Sequence, residues 1–290
     1  MQGTAIVTGA TGGIGRWIAL GLAHAGYHTV LVGRDAARGQ AALDWIAHPD
    51  ASLELADLSS LAETRALGDR LVARHPRITV LVNNAGVFRA RRERTAEGHD
   101  VVLATNHLSP FVLTQALLPA LRAGAPSRIV TVGSDTSDNA GMDPDNLALD
   151  RGWTMTRAYG RSKLAQMMTT FELAGRLDGV VANVAHPGRV ATGLVRTPGV
   201  IGLAWRLMAL TSLTPKQGAD TPLHVALAPE LAGMTGLYFK DRHPVKPNRR
   251  ALDPALRHAV WDATERLAGV TASQPAGATP SRAGRPTTGC

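Results

Sequence analysis

Seven short runs of β-branched and aliphatic residues recur along the chain, at 4–8, 28–32, 52–55, 79–82, 128–132, 180–185 and 236–239. Longer stretches with helical spacing separate them, at 13–25, 36–47, 59–74, 99–122, 157–177 and 215–227, and a closing helix follows at 254–267. A strand that is followed by a helix can rejoin its neighbour in parallel, because the helix carries the chain back to the starting edge. The alternation therefore predicts an α/β fold, a doubly wound parallel sheet of about seven strands with helices on both faces. With 290 residues, 44% of them hydrophobic, the chain can bury the core of one large domain. That domain is expected over 1–269. The remainder, 270–290, reads VTASQPAGATPSRAGRPTTGC, is rich in Pro, Gly, Ser and Thr, and is expected to be a disordered tail.

Several classes are set aside at this level. No run of about 18 uninterrupted apolar residues occurs, so no membrane span is expected, and the N-terminus enters a strand pattern without a charged and then apolar leader. The single cysteine, Cys290, cannot form an intramolecular disulfide, and with it a Cys/His metal cluster is not expected; the cytoplasm is the default compartment. A net charge of +8 could suit nucleic acid, but the Lys and Arg are scattered and aromatic residues make up only 4%. The charge instead suits a basic enzyme that attracts anionic ligands.

The turn after the first strand, TGATGGIG at 8–15, crowds glycines between strand and helix. Gly9, Gly13 and Gly15 permit a tight turn, close approach of a pyrophosphate and close packing of helix on strand, while the N–H groups of the helix point at the anion. A Rossmann-type dinucleotide site is the reading, with Thr11 and Ile14 lining it; a merely tight loop is the alternative.

Further stations follow in order: DL at Asp57 and Leu58, NNAG with Asn83, Ala85 and Gly86, Ser134 after a strand, YGRSK from Tyr159 to Lys163, and PGRVAT with Pro187, Gly188 and Thr192. With the Gly-x-x-x-Gly-x-Gly spacing, this series resembles the short-chain dehydrogenase/reductase family over about residues 3–269. The stretches LVGRD, TNHLSPFVLTQALLP and TPKQGADTPLHVALAPELAGMTGLYF most resemble its branch of retinol dehydrogenases and WW-domain oxidoreductase-like enzymes. The resemblance implies a nicotinamide-dependent oxidoreductase and a dimer or tetramer built on the long helices.

Cofactor choice turns on GRD at the end of the second strand, where an acid would bind the ribose hydroxyl of NAD and an arginine the 2′-phosphate of NADP. The resemblance puts Arg34 at the phosphate-reading position, with Arg16 in support, so NADP(H) is expected ahead of NAD; the alternative gives the ribose to Asp35. It also implies that Asp57 and Leu58 meet the adenine. Capping of the next helix by Asp57 or Ser59 is the other reading. Asn83, Ala85 and Gly86 would approach the adenosine ribose, and Pro187, Gly188 and Thr192 the nicotinamide carboxamide.

Tyr159 and Lys163 stand four apart and share one helix face. Hydride transfer to a carbonyl leaves an alkoxide that needs a proton; tyrosine, with an ordinary pKa of about 10, gives it more readily beside a cation. The resemblance implies proton transfer by Tyr159, with Lys163 as that cation, and a hydrogen bond from Ser134 to the substrate oxygen. Thr136 and Ser137 in the following loop rival Ser134. Asn106 is the fourth catalytic residue by resemblance, its main-chain carbonyl holding a water. Pro110 supports this physically, since it has no N–H to donate to that carbonyl and tends to kink the helix; a simple packing kink is the alternative. His186 reads as a strand-end residue.

The segment GLVRTPGVIGLAWRLMALTSLTP after Thr192 is apolar and suits a lid over a lipophilic ketone, aldehyde or secondary alcohol, an oligomer contact or a membrane-surface helix. The basic stretch 240–250 reads as a solvated loop, with a role toward an anionic substrate as the alternative. The expected activity is carbonyl reduction or its reverse. An epimerase or dehydratase of the same family, and an NADPH-binding sensor without turnover, are the alternatives.

Overall fold

The structure is a computed structural model that describes residues 2–190 and 213–270. Thr192, the lid segment up to 212 and the tail from 271 onward lie outside the described residues.

Strand β1 (Thr4–Thr8) is buried from Ala5 onward, which fits its run of small and aliphatic side chains with helices on both faces. It pairs in parallel with β2 (His28–Gly33) on one side and β4 (Ile78–Asn83) on the other, Val7 standing opposite Leu31 and Val82. With β3 (Ala51–Leu55), β5 (Ser127–Val132), β6 (Val180–Ala185), β7 (Tyr238–Lys240) and β8 (His243–Val245), the sheet runs β3-β2-β1-β4-β5-β6-β7-β8. The winding direction reverses between β1 and β4. In open α/β sheets the ligand crevice lies outside the carboxyl ends of the strands at such a point.

The eighth strand corrects the solvated-loop reading of 240–250. β8 pairs antiparallel with β7 through a two-residue turn at Asp241 and Arg242, both at positive φ (49° and 67°). Three exposed residues around Pro244 carry no period-two signal, so the sequence pattern could not show them.

Helices α1 (Gly13–His24) and α2 (Ala36–Ile46) cover one face of the sheet, and α3 (Leu61–Arg74), α4 (Ser109–Ala123) and α5 (Met155–Ala174) the other. The stretch expected at 215–227 divides into α6 (Pro215–Gly218) and α7 (Asp220–Leu227), which join the first layer; α8 (Pro254–Ala268) joins the second. α3 begins at Leu61 because Ser60 accepts from the Glu63 N–H, and Glu97 from a distant loop receives the N–H groups of Leu61 and Ala62. The cap reading of Asp57 or Ser59 is thereby moved to Ser60.

α4 is entered through a helical turn, Val101–Leu103, and a π-helical segment, Ala104–Leu108. From Val101 to Ala123 the chain is long and apolar enough to cross a membrane, but its apolar 18-residue stretch is 83% buried inside the fold, as befits a core helix.

Candidate active site

The glycine turn sits at the switch point. Gly9 and Gly13 have φ of 65° and 54°, where a side chain is strained. A Cβ at Gly15 would collide with the Gly9 carbonyl and the Asn84 amide, and one at Gly9 would come within 2.9 Å of the Ala85 Cα. These glycines let α1 sit directly on the end of the sheet. No side chain caps α1 and its first turn holds no acid, so its N–H groups are left for an anion, as a pyrophosphate requires. Thr11 lies against Gly33 at the end of β2, and Ile14 packs beside Val190 and Gly218. Gly15→Ala is expected to cost about 1–3 kcal/mol by overpacking and to weaken nucleotide binding; a denaturant melt with and without NADPH checks both.

At the end of β2, Arg34 is exposed while Asp35 is committed elsewhere: its carboxylate accepts from the Arg38 N–H at 2.9 Å as the N-cap of α2. The structure thus adds a residue that the sequence reading missed. The Arg38 guanidinium stands 3.4 Å from where a Cβ of Gly12 would be, so this arginine, four residues after Arg34, flanks the glycine turn. Their spacing was the available signal. Arg16 instead stacks on the Trp45 ring at 4.0 Å.

Asp57 forms a local turn, its Oδ1 accepting from the backbone and hydroxyl of Ser59, and Leu58 packs into the core. The reading of Asn83 needs correction. Its side chain is 2% exposed and its Nδ2 donates to Thr114 inside the fold. Asn84 meets the glycine turn instead, its Nδ2 reaching the carbonyls of Thr8 (2.8 Å) and Gly9 (3.3 Å), and the N–H groups of Asn84 and Ala85 both donate to the Thr8 hydroxyl. Adjacent residues at a strand end point to opposite sides, so an error of one position moves a residue from the site to the core.

Ser134, Tyr159 and Lys163 are brought together. Ser134 follows β5; its hydroxyl accepts from Thr136 Oγ1 at 2.9 Å, while Ser137 Oγ is turned back to the Ser134 carbonyl at 2.6 Å. Thr136 and Ser137 therefore shape the turn that presents Ser134. Tyr159, on α5, packs edge-on against Phe88 with ring centroids 5.2 Å apart. Burial is the main cause that raises its hydroxyl to about 12, Asp135 adding to it while a hydrogen bond with Ser134 works the other way. Lys163 is 4% exposed; its Nζ donates to the Val132 carbonyl at 2.8 Å and to Gln166 Oε1 at 3.2 Å, and burial lowers it to about 8. A Cβ at Gly86 would lie 3.7 Å from Nζ and 3.5 Å from Asn106 Oδ1, so this glycine keeps space open beside the lysine.

Asn106 lies within the π segment. Its Oδ1 accepts from the Val87 N–H (2.7 Å), and its Nδ2 donates to the Val87 carbonyl (3.0 Å) and Ser162 Oγ (3.1 Å). The side chain is thus fully engaged, so a role of Asn106 toward a water falls to its main-chain carbonyl. Pro110 offers that carbonyl no N–H, and the Ser109 N–H is diverted to Ala104 by the π turn. The expected kink is therefore a π turn, a device often found at functional sites.

Pro187 and Gly188 follow β6, Gly188 at φ 76° with its N–H on His186 Nδ1 at 2.8 Å; His186 is buried against Tyr238, as its strand-end reading expects. Asp135, Asp138, His186, Arg189 and Lys240 line an open cavity of about 670 Å³ beyond Ser134.

Residues 3–198 match the short chain dehydrogenase family. Retinol dehydrogenase 14 from Mus musculus is 35% identical over 287 residues, covering 92% of this chain and 86% of that protein. A short chain dehydrogenase from Burkholderia cenocepacia, solved with NADP, superposes with a TM-score of 0.66 at 28% identity, covering 82% of this chain and 96% of that one. The actinorhodin polyketide ketoreductase with NADPH superposes with a TM-score of 0.63 at 26% identity, over 82% and 96%.

Proposed function

The chain belongs to the short-chain dehydrogenase family, and on that premise we propose that it is an NADP(H)-dependent oxidoreductase that interconverts a lipophilic ketone or aldehyde and the corresponding alcohol. The observation that carries the reading is that Ser134, just past the carboxyl end of β5, meets Tyr159 of α5, while Lys163 of the same helix is held to the Val132 carbonyl at that strand end.

The nicotinamide, when bound, supplies or takes up the hydride. Gly9 to Gly15 and the α1 N-terminus would hold the pyrophosphate, and Arg34 with Arg38 the 2′-phosphate. Asp35, occupied as a helix cap, favours NADP over NAD at this position. Lys163 would bind the nicotinamide ribose and, as a cation, make the Tyr159 proton easier to move. Ser134 would hold the substrate oxygen for Tyr159, and the Asn106 carbonyl a water in the proton path. Thr192 and the apolar segment after it keep their proposed roles at the carboxamide and over the substrate.

The ketoreductase and retinol dehydrogenase relatives support a lipophilic substrate with a hydroxyl or carbonyl group. The dimer or tetramer remains our proposal for the assembly, with one constraint. α5 is buried along most of its length within one chain and α8 packs across it, so a second copy would have to use other surfaces.

The test is the loss of NADPH absorbance, and separately of NADH, over a panel of lipophilic ketones, aldehydes and quinones. Faster loss with NADPH on at least one carbonyl is expected. Tight NADPH binding without turnover of any of them would favour the sensor reading instead.

A further inference from the structure

A second, small cavity lies behind Lys163, among β4, β5, α4, α5 and α8. Its volume is about 20 Å³, and its lining includes Asn83, His107, Gln166 and Trp261. Each of these four side chains is at least nine-tenths buried. Each also carries a buried polar atom with no protein partner: Asn83 Oδ1, His107 Nδ1, Gln166 Nε2 and Trp261 Nε1. Among the described residues, half of all such side-chain atoms belong to residues that line this one cavity.

The hydrogen-bonding character of each atom can be worked out. Thr264 Oγ1 donates to the Val260 carbonyl at 2.7 Å, so at 2.8 Å it accepts the proton of His107 Nε2. His107 is thus the Nε2–H tautomer and its Nδ1 is an acceptor. Burial pushes the ring down to about 3 and keeps it neutral. Gln166 Oε1 accepts from the Lys163 ammonium, so the amide cannot be reversed without setting donor against donor, and Nε2 faces the cavity as a donor. Asn83 Nδ2 is spent on Thr114, which leaves Oδ1 as an acceptor. The indole of Trp261 can only donate.

Two donors and two acceptors match the valence of a water molecule and suit neither an anion nor a cation. The volume exceeds the roughly 10–15 Å³ that one water needs. We propose that this cavity is a site for a bound water, and that Gln166, oriented by that water, is a positioning residue that holds the Lys163 ammonium for the proton step. The inference rests on the reading of Lys163 given above. No carboxylate perturbs Lys163, whose shift comes from burial alone; Tyr159, one turn earlier, faces Ser134 and Asp135. The groups that hold the ammonium are thus the neutral Val132 carbonyl and the Gln166 amide.

Two experiments test this. In an atomic-resolution crystal structure of the unaltered protein, a water within about 3.2 Å of at least three of the four atoms is expected. A dry cavity, or a Gln166 amide turned away from Lys163, overturns the proposal. In solution, the pH profile of kcat for alcohol oxidation is read for Gln166→Leu and Gln166→Glu. Loss of the acceptor makes the ammonium harder to keep, so Leu is expected to move the profile alkaline by about one pH unit and to lower kcat at neutral pH about tenfold, with KM nearly unchanged; in Glu the new negative charge offsets the ammonium and opposes the phenolate, so it too is expected to move the profile alkaline. A native profile in the Leu variant, an acid shift in the Glu variant, or an effect on KM alone overturns the positioning role. Tyr159→Phe separates the two failures. If it keeps full turnover, the reading of the site fails and the inference with it; if it is inactive while both Gln166 variants keep the native profile, only the inference fails.

Discussion

Tyr159→Phe is expected to lower kcat for carbonyl reduction by about a thousandfold while changing the affinity for NADPH by less than about threefold. The substitution keeps the ring and with it the edge contact to Phe88, so only the hydroxyl is lost. The large effect follows from what that hydroxyl is placed to do. It stands near Ser134, which would hold the same oxygen that receives the proton, and one turn from a buried ammonium with few alternative partners. The pH dependence carries the sign of the mechanism. With the hydroxyl raised to about 12 and Lys163 lowered to about 8, at pH 7 the first is protonated and the second charged. Reduction consumes the resident proton, so its rate should be nearly flat between pH 6 and 8. Oxidation needs the phenolate, whose fraction grows about tenfold per pH unit below its pKa, so kcat for the alcohol should climb over the same range. Stopped-flow NADPH oxidation and alcohol-dependent NADPH formation measure the two directions. A Phe variant with native turnover would remove Tyr159 from the chemistry.

What the sequence made legible has a physical basis. Parallel strands buried on both faces must be aliphatic throughout, and the turn on which α1 packs must be glycine, so β1, α1 and the turn between them could be read directly. The spacing of four between Tyr159 and Lys163 places both on one face of α5 whatever surrounds them. The missing N–H of Pro110 marked the irregularity at Asn106, although the form it takes, a π turn, depends on how the helix repacks. Other features left no such mark. Gln166 is one more polar residue in a helix until β4, α4 and α8 close a cavity around it. Asn83 and Asn84 are identical in kind, and only the parity of the strand end decides which one reaches the glycine turn. β8 is too short and too exposed to show a period.

Arg34→Ala is expected to raise the KM for NADPH by about 10- to 100-fold and to leave that for NADH within about twofold, because a charge-assisted hydrogen bond to a phosphate contributes about 1.5–3 kcal/mol. The asymmetry between the cofactors makes the test specific. NADH lacks the 2′-phosphate, so a loss shared by both would mean that Arg34 supports the fold of the β2 end instead of reading the ligand. Arg38 sharpens the comparison. Its backbone N–H holds the Asp35 cap, a bond that Arg38→Ala retains, while its guanidinium stands over Gly12 at the mouth of the glycine turn. Removing that guanidinium should therefore also weaken NADPH selectively, and the double variant should bring the two cofactors close to parity. Ionic strength gives an independent check, since both arginines act through exposed charge; the NADPH preference should shrink as salt rises, and faster in the native protein than in the double variant. If Asp35→Ala instead relaxes the preference toward NADPH while Arg34→Ala has no effect, the carboxylate is the group that reads the ribose, and the cofactor is NAD.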